Sequence, residues 1–160
     1  MKTHLATRGL TALIAGVIAV GSAAARADDD GGGKVVISTP LAPAAIGPYS
    51  QAIRVGRMVY VSGEIGIVPT TGTFKGASIG DQTDQALMNV AEILAAAGLT
   101  LDNVVATTVY LLNVSDFAAM NTAYATHFTN APPARATIGV AGLPKPGALV
   151  EISAIAVDDR

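Results

Sequence analysis

Between Thr83 and Ala97 the chain keeps a helical beat that no strand could satisfy: Thr83, Leu87, Val90, Leu94 and Ala97 recur at spacings of four, three, four and three. Asp81 is read as the N-cap of this helix, and Gly98 falls where the first residue past a helix belongs. The segments around it are of another kind. Lys34–Ser38, Tyr49–Val55 and Met58–Ser62 precede it with strand-like composition, Met58-Val59-Tyr60-Val61 most clearly. Pro69–Gly80 reads as loop, punctuated by Gly72 and Gly76. After the helix come a β-branched run from Asn103 to Leu112 and a second helix from about Ser115. Phe117, Met120, Tyr124 and Phe128 form the second helix's apolar stripe, and Pro132-Pro133 stops it. Two last strands, Arg135–Ala141 and Leu149–Val157, close the order β-β-β-α-β-α-β-β. Such an order predicts an α+β fold, one sheet with both helices on one face. Its strands are apolar on both sides, so the other face needs a cover as well, and an oligomer supplies one.

The N-terminal segment belongs to a different grammar. Lys2 and Arg8 precede an apolar run from Gly9 to Gly21, and small residues lead to Ala25-Arg26-Ala27, the three parts of a secretory signal peptide. That run of about 13 residues is short of the ~20 a spanning helix needs. The expectation is therefore a cleaved signal over 1–27, a flexible Asp/Gly tether over 28–33, one domain over 34–160, and a periplasmic or secreted protein. Removing 1–27 from the 160 residues leaves 133; it takes three of the ten cations (Lys2, Arg8, Arg26) and none of the twelve carboxylates, leaving a net charge of −5. An acidic chain without a basic cluster lacks the footprint of a nucleic-acid binder and of a polybasic membrane surface.

The chemistry available is narrow. There is no cysteine, which removes thiol nucleophiles and thiolate metal sites. Past residue 27 a single histidine remains, His127, read as a helix-end residue near the negative end of the dipole. One histidine alone builds neither a histidine-rich metal site nor a Cys-His pair, so no metal is expected. No G-x-S-x-G elbow and no phosphate-binding glycine loop is present. What remains is charge inside apolar strands: Arg135, which opens Ala136-Thr137-Ile138-Gly139-Val140, and Glu151 within Leu149-Val150-Glu151-Ile152. Such residues are either a buried ion pair or an anion clamp beside a proton-handling carboxylate. In a hairpin through 143–148, Glu151 would face about Val140 and Arg135 would lie roughly 17 Å away. Either the last two strands are not partners, or the pair meets across a subunit boundary.

Four motifs in order carry a resemblance. Gly47-Pro48-Tyr49-Ser50-Gln51-Ala52, Val61-Ser62-Gly63, Asn89, and Pro133-Ala134-Arg135 followed by Val150-Glu151-Ile152 resemble the Rid family, the reactive-intermediate deaminases also called YjgF, across residues 36–157. The resemblance implies a chorismate-mutase-like fold, a homotrimer with sites between subunits, and cofactor-free hydrolysis of enamine or imine acids (2-aminoacrylate, 2-iminopropionate) to 2-keto acid and ammonia. It implies that Arg135 binds the substrate carboxylate and Glu151 positions water. Tyr49, Ser62, the Gly63 backbone, Phe117 and Asn121 would line the site, and the Thr137 carbonyl would help hold the water. Two positions depart from many members: Thr137 stands where Cys is common, and Glu64 where Gln is common. Two other functions are open to the same fold, a small-carboxylate-binding or chaperone-like module and an endoribonuclease. The acidic balance and lone His127 weigh against the nuclease.

Overall fold

The computed structural model describes residues 33–160. The expected signal peptide and all but the last residue of the expected tether lie outside them. The strands are β1 (Val35–Ile37), β2 (Ala52–Val55), β3 (Met58–Ile65), β4 (Ile67–Val68), β5 (Thr73–Phe74), β6 (Val104–Leu111), β7 (Ala134–Gly139) and β8 (Val150–Val157). The helices are α1 (Ile79–Ala96) and α2 (Phe117–Ala125). Six strands form one mixed sheet in the order β1-β2-β3-β8-β6-β7, with β6 and β7 parallel and the other neighbours antiparallel. A parallel pair needs a crossover, and α2 provides it. β8 enters between β3 and β6, so the last two strands are not sheet partners.

Both helices pack on one face, as their stripes require. Leu87, Val90, Ile93 and Leu94 of α1 are fully buried with Val59, Val61, Ile152 and Ala154 of the sheet. Each of these Leu, Ile and Val side chains contributes about 1.5–3 kcal/mol by leaving water. The helix opens earlier than the Asp81 cap expected from sequence. Ser78 is the N-cap: its hydroxyl accepts the Asp81 N–H at 3.0 Å and donates to the Asp81 carboxylate at 2.6 Å. Asp81 thus serves the cap from inside the first turn. At the other end Gly98 has φ +74°, the left-handed conformation that a helix exit favours in glycine.

Three further readings are corrected. Part of the expected loop 69–80 is a small hairpin, β4 against β5, whose two-residue strands are too short to show a period. The strand expected from Tyr49 begins only at Ala52. Along the α2 stripe Met120, Tyr124 and Phe128 are buried, but Phe117 is 43% exposed and Phe128 lies beyond the helix. His127 does more than face a dipole: its Nε2 lies 2.7 Å from Asp84 Oδ1 on α1. Asp84 also pairs with Lys75, so the cluster ties both helices and the β5 loop together.

The sheet's far face is apolar and half open. One row across it runs Ile53, Tyr60, Ile155, Ala106, each directly opposite the next. Tyr60 is 47% exposed. Val105 and Ile138 are also exposed in the described chain.

Candidate active site

Glutamine 51 explains why the strand starts late and why a pocket forms there. Its side-chain amide donates to the carbonyls of Thr39 and Pro43 and accepts the Thr39 N–H at 2.7 Å. This holds the 39–46 segment over the edge of the sheet. Tyr49 turns back beneath it, its N–H donating to the Gly47 carbonyl at 2.8 Å and its hydroxyl accepting the Ile46 N–H at 3.3 Å. Ser62 completes the wall, donating its hydroxyl proton to the Ser50 carbonyl at 2.7 Å.

The floor is a β-bulge. Val61 faces Ala154 and Glu64 faces Ile152, so three steps of β3 match two of β8 and the ladder slips at Ser62-Gly63. Gly63 is required there: a Cβ on it would lie 1.9 Å from the Glu151 carboxylate. The carboxylate therefore rests directly against the β3 backbone. Asn89 of α1 pins the far side of the bulge, donating to the Ile65 and Ile67 carbonyls at 3.0 Å each, and Gln85 steadies Asn89 at 2.9 Å. The result is a cavity of about 370 Å³ lined by Ile46, Tyr49, Ser62, Gly63, Glu64 and Glu151, among others. Burial, then the charge of Glu151, pushes the Glu64 carboxyl up to about 8. Burial also raises Glu151 above the usual carboxylate range.

Arg135 belongs to a second cavity, of about 400 Å³, with Asn121, Tyr124, Phe128 and Pro133. On β7 it sits opposite Thr107, on the helix side of the sheet. Its guanidinium donates to Asn121 Oδ1 at 2.7 Å and lies 4.6 Å from the Tyr124 ring centre and 5.7 Å from that of Phe117. Tyr124 is itself held by Thr107, hydroxyl to hydroxyl at 2.7 Å. This stacking leaves the fork of an arginine oriented without neutralising it. Two residues on, the buried Thr137 hydroxyl has no hydrogen-bond partner among the described residues.

The residues singled out from sequence therefore form two groups. Tyr49, Ser62, Gly63 and Glu151 come together; Phe117, Asn121 and Arg135 come together on the other side of the sheet, with Thr137 two residues along the same face of β7. Arg135 faces Thr107 and Glu151 faces Tyr110, so the two lie about 10 Å apart along β6 and about 10 Å across two strand spacings, pointing to opposite faces. Within one chain they share no site. Sequence reading missed Gln51 as the loop's anchor and Tyr124 as the platform under Arg135. The second was hidden because its place in a helical stripe already explained it as core.

A family model described as Endoribonuclease L-PSP matches residues 39–158. The chain belongs to the Rid/YjgF (L-PSP) family. It is 51% identical over 122 residues to 2-iminobutanoate/2-iminopropanoate deaminase of Mus musculus, covering 76% of this chain and 90% of that protein. Reactive Intermediate Deaminase A, chloroplastic, of Arabidopsis thaliana is 48% identical over 123 residues, 77% of this chain and 65% of that one. Among solved structures, the YjgF gene product of E. coli superposes with a TM-score of 0.74 at 45% identity, over 79% of this chain and 99% of that one. E. coli TdcF with bound serine gives 0.73 at 40% identity, over 78% and 99%. The mixed sheet with two helices on one face is the fold of these Rid relatives.

Proposed function

We propose that this Rid protein hydrolyses 2-imino acids of the 2-iminobutanoate/2-iminopropanoate type, and their enamine tautomers, to 2-keto acid and ammonia without a cofactor. Relatives at about half identity carry the deaminase name, and this chain keeps the chemistry the reaction needs. C2 of an imino acid is already electrophilic, so a positioned water suffices. The Arg135 fork, oriented by Asn121 and Tyr124, clamps the carboxylate. Glu151, seated on Gly63, takes a proton from the attacking water and returns one to the departing nitrogen.

The observation that carries the reading is the division of the site. An arginine pocket and a carboxylate pocket on opposite faces of one sheet make a complete site only when two copies meet. We assign the assembly as a homotrimer, in which Arg135 of one subunit faces Glu151 of the next and the open apolar face is covered. Ammonia release from imino acids generated in situ by an amino-acid oxidase tests the activity. Parental protein should exceed the buffer rate, and Arg135→Ala should not. Equal rates for both and buffer would favour a binding module instead. The export reading of residues 1–27 places the substrate pool outside the cytoplasm. Intact-mass measurement in the native host should show a chain beginning at Asp28, and a mass retaining residues 1–27 would remove that part.

A further inference from the structure

One buried residue of α1 meets both the strand that carries Glu151 and the strand beside it. Glu151 stands between Ile65 of β3 and Tyr110 of β6. Just past Ile65 the chain runs against Gln82: a Cβ on Gly66 would lie 2.5 Å from the Gln82 Cα. From there the Gln82 side chain reaches the other strand. It is 2% exposed, and its Oε1 accepts the Leu149 N–H at 2.8 Å. Its Nε2 donates to the Gly147 carbonyl at 3.0 Å and to that of Gly76 at 3.4 Å. The Leu149 carbonyl in turn accepts the Leu112 N–H at 3.0 Å, so the chain is fastened twice just before β8 enters the sheet. Leu149 precedes Glu151 by two residues, about 7 Å of strand. A buried amide is costly unless it is bonded, and a leucine would fill the same space without that demand. Two of the three bonds made by Gln82 hold the turn that delivers β8.

We propose that Gln82 is a positioning residue for Glu151. Its backbone seats the end of β3 at Gly66, its amide fixes the start of β8, and together they hold the Glu151 carboxylate against Gly63. Gln82 touches no reacting atom and acts only through the strand it fastens. The inference rests on the preceding section's assignment of Glu151 to water and proton handling. Arg135, assigned there to the substrate carboxylate, lies on β7, which β6 separates from β8. Loss of the clasp should therefore lower turnover and leave ligand binding in place.

Steady-state ammonia release from oxidase-generated imino acid, beside calorimetric binding of pyruvate, tests this on the intact folded protein. Gln82→Met keeps the volume and removes every bond of the amide. Its kcat should fall by roughly 10- to 100-fold, the size expected when a reacting group is slightly misplaced, with pyruvate affinity close to the parent's. Should Gln82→Met not fold, Gln82→Asn, whose amide stops one bond short of Leu149, takes its place with the same expectation. Gln82→Glu keeps an oxygen for the Leu149 N–H in either protonation state and should restore most of the rate. In a Glu151→Gln background, Gln82→Met should cost nothing further, because its effect passes through Glu151. Four results would each overturn the proposal: an unchanged kcat in the folded variant, pyruvate binding lost in step with the rate, losses that multiply in the double variant, or Gln82→Glu as slow as Gln82→Met. Carbon-13 NMR reads the same seat without turnover. Glu64, Glu92 and Glu151 are the glutamates of the chain. The Glu151 carboxyl resonance, identified by its absence in Glu151→Gln, should move in Gln82→Met, and a stationary resonance would contradict the clasp. If the parent releases no ammonia, the deaminase reading fails alone and the resonance still decides the role of Gln82.

Discussion

Gly63 has no room for a side chain, and that single fact sets where Glu151 can be. Gly63→Ala would bring a methyl into the Glu151 carboxylate. The expected cost is about 1–3 kcal/mol of stability from overpacking, together with loss of ammonia release as the carboxylate is displaced. Thermal unfolding beside the activity assay checks both; a fully active Gly63→Ala would mean that the seat of Glu151 is immaterial. At Glu151 itself, Glu151→Gln keeps the shape of the side chain, so keto-acid binding should persist while hydrolysis falls by about 10²–10⁴-fold. Arg135→Lys should not restore Arg135→Ala fully, because an ammonium cannot make the bidentate fork or stack on Tyr124 as a planar guanidinium does. Arg135 and Glu151 were legible in the sequence because charge inside apolar strands demands a reason. Gln51 and Tyr124 were not, since a polar residue beside a turn and an aromatic in a helical stripe each have an ordinary explanation.

At the scale of elements, α1 was legible from its period and its glycine exit, and its start was misplaced by three residues because Ser78 and Asp81 cap it jointly. Ser78→Ala should lower stability by about 1 kcal/mol, read by urea unfolding, whereas a silent substitution would return the cap to Asp81. The helix also carries the site's scaffold. Asn89→Ala would strip the Ile65 and Ile67 carbonyls of their donor, costing about 1–3 kcal/mol and loosening the bulge on which Glu151 sits. A second clamp, Asp84 with Lys75 and His127, ties α1 to the end of α2. The Lys75 hydrogen bond, followed by that of His127, holds Asp84 below its ordinary value despite some burial. A lowered carboxyl stabilises the fold above its unfolded pKa of about 3.9, and this contribution disappears as pH falls through the folded value. Asp84→Asn should thus lower the melting temperature at pH 6 and narrow its gap to the parent as the pH is taken below 4. A gap that widens on acidification would contradict the clamp. The β4–β5 hairpin escaped sequence reading for a plain reason: two-residue strands have no alternation to detect.

For the whole molecule, the parallel β6–β7 pair and the insertion of β8 between β3 and β6 put the last two strands apart, which the spacing of Arg135 and Glu151 had left as one of two options. The apolar open face was foreshadowed by strands hydrophobic on both sides, and the separation of the two pockets by the distance between Arg135 and Glu151. Which residue joined which pocket was not, because strand order decides it and strand order leaves no mark in local composition. Light scattering should give three times the monomer mass at micromolar concentration, and a monomer there would count against a shared site. Complementation tests the shared site itself. Arg135→Ala and Glu151→Gln, each inactive or nearly so alone, are unfolded together and refolded at equal amounts. If Arg135 of one subunit works with Glu151 of the next, every mixed three-fold ring regains one intact site, and ammonia release should return to roughly a quarter of the parental rate. A mixture no more active than the average of its two inactive parents, from trimers proved mixed by mass, would place both residues of each working site in one chain and contradict the account.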